Sequence, residues 1–265
     1  MKTRKSLMII LGIVLLLIGL NVKSVCFAAP NISSTSENLS SKTLQRYNQI
    51  PQEIRNAFEE KGWSIVITDS ATLNRKSNIN MVIPDGYILA GSTAVNAKTI
   101  YLNDLSYLSY ESICHEMGHF FDVELSKEVN GNVRSSKSQD FIDIWNAEKN
   151  SYGDPYCIST SAEYFADSFA SYIQNGENLK AKCPRTYNYI AGIVAVYCES
   201  KSCSCQNVTY VLNGVDYTGE FNPIIYYNRY PDLQSAYDYD VQTLLQHYAT
   251  FGKSEGRKAN WIVDR

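Results

Sequence analysis

The sequence has few histidines and no strong excess of either charge. Its 265 residues include only three histidines, and 24 Lys and Arg residues against 27 Asp and Glu residues give a net charge of −3. Proteins that bind nucleic acid or an anionic membrane through their overall field carry a basic surface. We therefore expect no nucleic-acid partner. Because histidine is rare in this chain, a motif that contains two of the three histidines seldom arises by chance.

Long apolar segments are also lacking after the N-terminus. Three basic residues within the first five precede an apolar run at 7–20, and small residues at Cys26 and Ala28 fit cleavage before Ala29. The run is shorter than the ~20 residues of a membrane-spanning helix. An uncleaved anchor is the alternative. We predict a signal peptide at residues 1–28, a secreted protein, and no membrane association after cleavage.

Composition and periodicity divide the rest of the chain into three parts. Residues 29–43 are rich in Ser, Thr and Asn and predict a flexible leader. Residues 44–205 contain a helical pattern over 44–58, then β-branched segments at 63–68, 87–90 and 99–103. This order predicts an α+β domain with a small mixed sheet and a loop at 91–97. Residues 206–265 predict a small, mainly helical accessory module.

The segment after the last of these strands contains the motif H-E-x-x-H. His115 and His119 are four residues apart, so on an α-helix they lie on one face and can hold one Zn²⁺. Glu116 is then placed to act as a general base. Asp122 extends the same face and could orient a ligating imidazole. The alternative is a surface helix with two unrelated histidines.

A catalytic zinc needs a third protein ligand. No third histidine follows at the spacing that some zinc peptidases use, and His247 is remote. Glu163, in the first turn of a predicted helix, is the best candidate. The alternative is that Glu163 closes a capping box with Thr160, whose spacing fits. The weaker ligand candidates are Glu177 and Glu199.

These residues resemble a known family. His115, Glu116 and His119, followed by Tyr156 and then Glu163 in E-Y-F-A-D-S-F, are similar to the catalytic domain of anthrax lethal factor and to the secreted Pro-Pro endopeptidases. The resemblance covers roughly residues 45–200 and implies a zincin-like metallopeptidase fold. It also implies that Glu163 is the third zinc ligand and that the Tyr156 hydroxyl stabilises the reacting oxygen.

The implied activity is that of a zinc endopeptidase acting on extracellular or cell-surface proteins, with cleavage near proline as one option. Two features differ from the Pro-Pro enzymes: Ala162 precedes Glu163, and the 91–97 loop has no tryptophan. An extended peptide substrate can pair with an exposed strand. We predict that Thr99–Asn103 is that edge and that the chain is a monomer. An ordinary hairpin is the alternative for this strand.

Six cysteines follow the predicted signal peptide. In a secreted chain an even number predicts disulfides, whereas a second metal site is the alternative for the four between 183 and 205. Cys114 and Cys157 each adjoin a predicted site residue, which suggests a bridge between them. Cys114 could equally be a buried free thiol.

The C-terminal part contains Y-P-D-L at 230–233 and H-Y-x-x-x-G-x-x-E-G-R at 247–257. In these motifs it resembles a small helical module that is appended to many secreted bacterial proteins. His247 within it is expected to be packed or hydrogen-bonded rather than a metal ligand, because no partner ligand has a suitable spacing. This part supports a rival function: a non-catalytic, zincin-fold surface-binding protein that acts through residues 208–265. The intact Glu116 argues against that rival, since a scaffold has no need of a general base.

Overall fold

The computed structural model describes residues 30–77, 88–105, 107–153, 155–202, 209–237 and 240–260. The predicted signal peptide lies outside these ranges. In the described part, no helix combines the length and the apolar composition that crossing a membrane requires. The helices are α1 (Glu37–Tyr47), α2 (Gln52–Glu60), α3 (Ser70–Lys76), α4 (Leu108–Phe120), α5 (Ser126–Val129), α6 (Gln139–Tyr152), α7 (Ser161–Lys182), α8 (Pro184–Ser202), α9 (Pro223–Arg229), α10 (Pro231–Ala236) and α11 (Val241–His247).

The strands form a small mixed sheet in the first 103 residues and a separate hairpin in the C-terminal part. They are β1 (Ile32–Ser33), β2 (Ser64–Thr68), β3 (Gly91–Ala94), β4 (Thr99–Asn103), β5 (Val211–Leu212) and β6 (Val215–Asp216). The strand order of the mixed sheet is β1-β2-β4-β3, with β2 parallel to β1 and β4, and β3 antiparallel to β4. Strands β5 and β6 form the hairpin.

The sheet order corrects the predicted substrate-binding edge. β4 pairs with β2 on one side and with β3 on the other, so the prediction that Thr99–Asn103 is an exposed edge is wrong. Burial agrees, because Ile100, Leu102 and Asn103 are all 0% exposed. The edge strands are β1 and β3, and β3, the one next to β4, lies in the segment predicted as a loop. A strand with both edges paired has no backbone groups left for a peptide.

The predicted flexible leader is also folded from residue 32 onward. Ile32 pairs with Ile65 of β2, and α1 begins at Glu37. The Ser36 side chain caps α1 by accepting from the backbone N–H of Leu39 at 3.4 Å. Polar residues that suggested disorder therefore serve as caps and turns.

Helix α4 lies at the centre of the main core and packs against α7, α1 and β3. Small residues allow the close approach of α4 and α7: a methyl group on Gly118 would lie 2.7 Å from the carbonyl oxygen of Ala166 and 2.8 Å from its Cα. Aromatic side chains fill the rest, with Phe121 packed on Phe165 and Phe169 of α7. This contact fixes the height of α7 along α4.

The C-terminal part, residues 209–260, has a second apolar core of its own. It contacts the first part through α8 and α9, and Arg229 forms an ion pair of 2.7 Å with Asp140 on α6. His247 is hydrogen-bonded to the Tyr226 hydroxyl at 2.9 Å, as expected for a packed histidine. The domain boundary near residue 205 stays a prediction.

Candidate metal centre

Helix α4 supplies two imidazoles to the site. His115 and His119 lie one turn apart, and their ring centroids are 4.9 Å from each other at an angle of 82°. The helix is continuous from Leu108 to Phe120, so the four-residue spacing places both rings on one face, as predicted. The apolar face, including Ile113 and Met117, is fully buried.

Helix α7 brings Glu163 to the same point. Its carboxylate Oε2 lies 3.2 Å from Nε2 of His115 and 3.5 Å from Nε2 of His119. Thr160 does cap α7, because its hydroxyl accepts from the Glu163 backbone N–H at 3.1 Å. The Glu163 carboxylate, however, points to the histidines. The capping alternative thus applies to Thr160 and leaves Glu163 available as a ligand.

The distances from Glu163 to the two histidines fit a tetrahedral metal site. Ligand atoms at 2.0–2.2 Å from a tetrahedral metal are about 3.3–3.6 Å apart, close to the observed 3.2 and 3.5 Å. Among the described residues, His115, His119 and Glu163 are the only group of three or more His, Cys, Asp or Glu donors close enough to share one ion. Neither Glu177 nor Glu199 belongs to such a group.

The ionisable groups of the site perturb one another strongly. Burial lowers the pKa of His115, but the carboxylates of Asp167 and Glu163 outweigh it and raise that pKa to about 10. Burial raises the pKa of Glu163, but hydrogen bonds from both histidines lower it well below its usual range. The carboxylates that stabilise a proton on His115 would equally stabilise a metal cation bound there in its place.

Asp167 is a site residue that sequence reasoning missed. Its Oδ1 lies 3.4 Å from Nδ1 of His115, the nitrogen that does not face Glu163. Its other carboxylate oxygen accepts from the Tyr152 hydroxyl, which is 2.7 Å from the hydroxyl of Ser171. A carboxylate on the outer nitrogen of a ligating histidine fixes its orientation. The available signal was the spacing from Glu163 to Asp167, one turn apart on one helix face.

Asp122, which was predicted to orient a histidine, does not do so. Its carboxylate accepts from the backbone N–H of Ser136 at 2.8 Å and from the hydroxyl of Ser136 at 2.6 Å. The cause is local, because α4 ends at Phe120 and the chain continues as a π-helical turn, Phe121–Leu125. The seven-residue spacing assumed a regular α-helix, and the wider turn breaks that register.

Glu116 lies beside the metal group and is only 5% exposed. Its Oε2 accepts from the hydroxyl of Thr93 on β3 at 2.6 Å. The edge strand β3 therefore covers the carboxylate of Glu116, which the sequence predicts to be the general base.

Tyr156 lies in the turn between α6 and α7, and its side chain approaches the three metal donors from that turn. Its side chain is 48% exposed, and its hydroxyl interacts with the Glu163 carboxylate. Burial and the negative charges of Glu163 and Glu116 raise the pKa of Tyr156, so the hydroxyl keeps its proton at neutral pH. The backbone carbonyl of Ile158, two residues on, accepts from the Trp145 indole at 3.2 Å.

The cysteines do not form the predicted bridge. No disulfide joins any two of Cys114, Cys157, Cys183 and Cys198, so the pairing of Cys114 with Cys157 is wrong. Cys114 Sγ faces the backbone carbonyl of Arg46 at 4.0 Å, in the buried position that was the alternative. Cys203 and Cys205, which the sequence also predicts to form disulfides, lie outside the described residues.

Comparison with known proteins agrees with the geometry. A family model described as anthrax toxin lethal factor, N- and C-terminal domain, matches residues 25–193, which is more than half of the chain and includes the whole metal group. The chain belongs to this family. It is thus a zinc metallopeptidase by family, with the His115, His119 and Glu163 group in place. The predicted α+β, zincin-like class is confirmed by the mixed sheet, the helical bulk and this group.

Solved structures of similar proteins are also found. One is the Pro-Pro endopeptidase PPEP-2 from Paenibacillus alvei, at 22% sequence identity and a TM-score of 0.48. The alignment covers 62% of this chain and 96% of that chain. A comparison with curated proteins finds no match.

Proposed function

We propose that the chain is a secreted zinc endopeptidase that hydrolyses peptide bonds of extracellular or cell-surface proteins. One observation carries the proposal: Glu116 and the Tyr156 hydroxyl come from different elements and flank the three metal donors. A metal scaffold needs neither group, whereas amide hydrolysis needs a base and an oxyanion donor. Two imidazole nitrogens and one carboxylate oxygen favour zinc.

The residues divide the reaction between them. His115, His119 and Glu163 would hold the zinc, which when bound would supply Lewis acidity and lower the pKa of a water molecule toward ~7. Glu116 accepts the proton of the attacking water on its carboxylate and delivers it to the nitrogen of the leaving amine. Tyr156 donates a hydrogen bond to the substrate carbonyl oxygen as negative charge develops there.

The substrate lies along β3 in this proposal, in place of the strand predicted from sequence. β3 is the last strand of the sheet and pairs only with β4 among the described strands, which leaves its outer edge for an extended peptide. Thr93 on this strand contacts Glu116, so a peptide paired there passes the general base and the metal group. Backbone pairing gives affinity without fixing the side chains of the substrate.

A mixed peptide library tests the activity directly. Mature wild-type protein loaded with zinc is expected to cleave internal peptide bonds, and a proline-rich subset reports whether cleavage falls next to proline. Glu116→Ala is expected to lose turnover and keep its zinc, because the metal donors remain while the proton acceptor is gone. Glu177→Ala, an exposed glutamate on α7, is the matched control.

The same experiment separates the rival binding function. Zinc content near one per chain without cleavage of any peptide would favour a scaffold acting through the C-terminal part.

Export is tested separately by recovering the protein from culture medium and sequencing its N-terminus. The proposal expects Ala29 as the first residue, and retention of residues 1–28 would refute the predicted cleavage.

A further inference from the structure

Strand β3 touches the carboxylate of Glu116 at two different points. The Thr93 hydroxyl lies 2.6 Å from Oε2 and 3.1 Å from the backbone carbonyl oxygen of the same glutamate. Gly91 lies against the other oxygen: a methyl group on Gly91 would be 2.6 Å from Oε1 and 2.9 Å from Cγ. Positions 91 and 93 are two apart on a strand, so both face the same side.

These two contacts act on the carboxylate in complementary ways. A glutamate side chain has three rotatable bonds, and fixing them before substrate arrives removes an entropic cost from the reaction. The Thr93 hydroxyl sets the direction of Oε2 by donating to it. The missing side chain of Gly91 leaves the room that Oε1 and Cγ occupy. Oε1 accepts no hydrogen bond from Thr93 and keeps its lone pairs for a proton.

We propose that Thr93 and Gly91 are positioning residues that hold the Glu116 carboxylate against the edge strand, so that the strand that binds the peptide also sets the base. The inference rests on the proposed function, because it assigns how the base of that reaction is held. Ser92, between them, points to the opposite face of the strand and has no part in it.

Paired substitutions at Thr93 test the hydrogen bond. Thr93→Val keeps the shape and removes the O–H donor, whereas Thr93→Ser keeps the donor. We expect Thr93→Val to lower kcat by roughly 10- to 100-fold, the range for a hydrogen bond to a charged group. KM and zinc content are expected to stay near wild type, and Thr93→Ser to recover kcat to within about threefold.

Gly91→Ala tests the second contact by a steric route. The added methyl group has no space without displacement of Glu116, so kcat is expected to fall while zinc is retained. Gly219→Ala, where an added methyl group meets no atom within 4 Å, is the control and is expected to keep kcat within about threefold. A normal kcat in Gly91→Ala, an equal loss in Gly219→Ala, or failure of Thr93→Ser to restore kcat would overturn the proposal.

A double-mutant cycle tests the contact without any assay of activity. Thr93→Val, Glu116→Ala and the double variant are unfolded thermally in zinc-loaded and metal-free form. A direct contact predicts Tm shifts that are non-additive by about 2 °C or more. Additive shifts refute the contact even if the enzyme is active. Non-additive shifts with no peptide cleavage by wild type would sustain the contact and refute the proposed function.

Discussion

Substitution of Asp167 by asparagine is expected to weaken metal binding without changing any metal donor. The carboxylate lies 3.4 Å from Nδ1 of His115 and also accepts from the Tyr152 hydroxyl. Asparagine has nearly the same shape but is neutral, and it replaces one acceptor oxygen with a donor nitrogen. His115 then keeps at most a weaker, neutral acceptor, while Tyr152 still has Ser171 at 2.7 Å.

The size of the effect follows from the geometry. Loss of a carboxylate behind a ligating histidine typically lowers metal affinity by roughly 10- to 100-fold, or about 1.4–2.7 kcal/mol. The 3.4 Å separation exceeds the usual 2.7–3.2 Å of an N–H···O bond, so His115 is held loosely. We therefore expect a fall near tenfold for Asp167→Asn. Asp167→Ala, which removes both acceptor oxygens, is expected to lie nearer the upper limit.

Competition with a chromogenic chelator measures the zinc Kd of each variant. Asp143→Asn is the matched control, because Asp143 is exposed on α6 and its carboxylate accepts a hydrogen bond from the side chain of Gln139 rather than from a residue of the metal group. Thermal unfolding of the metal-free proteins is measured in parallel. A wild-type Kd in Asp167→Asn refutes the reasoning. So does a loss of affinity matched by an equal loss of stability in the metal-free protein, because Asp167 would then be structural.

Three further predictions concern single residues of the site. Glu163→Gln should weaken zinc retention far more than Glu177→Gln, measured as metal content after dialysis. Equal retention in the two variants would mean that Glu163 has only a structural role in the first turn of α7. Tyr156→Phe should lower kcat by roughly 10²–10³ with little change in KM, and near-normal kcat would make the tyrosine structural. Gly118→Ala should cost about 1–3 kcal/mol of unfolding free energy and weaken zinc binding, because the methyl group forces α7 away from α4; unchanged Tm would contradict that contact.

The metal donors could be predicted because they depend on local spacing and on one family pattern. His115 and His119 need only a regular helix, and Glu163 follows from its position after Tyr156 in the related enzymes. Asp122 failed under the same rule, because a π-helical turn begins at Phe121 and the sequence has no clear signal for it. A helical spacing thus predicts a shared face only as far as the helix stays regular.

The sheet edge could not be predicted because strand order is a non-local property. Thr99–Asn103 has the composition of a buried strand, but composition does not say whether one or two neighbours pair with it. The neighbour that the sequence did not reveal is β3, which contains Gly91 and little apolar surface; the other strand it did not reveal is β1, which is two residues long and pairs with β2. Both are held by pairing with a partner strand more than by their own propensity. Short strands of this kind are visible only in the structure.

The turn that carries Tyr156 shows why the predicted disulfide is unnecessary. Burial raises the pKa of Asp167, but hydrogen bonds from His115, Tyr152 and the Cys157 thiol outweigh it and lower that pKa, so one carboxylate joins a metal donor to the residue after Tyr156. A second anchor joins the Trp145 indole to the backbone carbonyl of Ile158, two residues after the tyrosine. The turn and the metal helix are therefore linked where the sequence suggested, but by hydrogen bonds and not by a disulfide. Because it passes through Asp167, the orientation of His115 and the position of Tyr156 depend on the same charge.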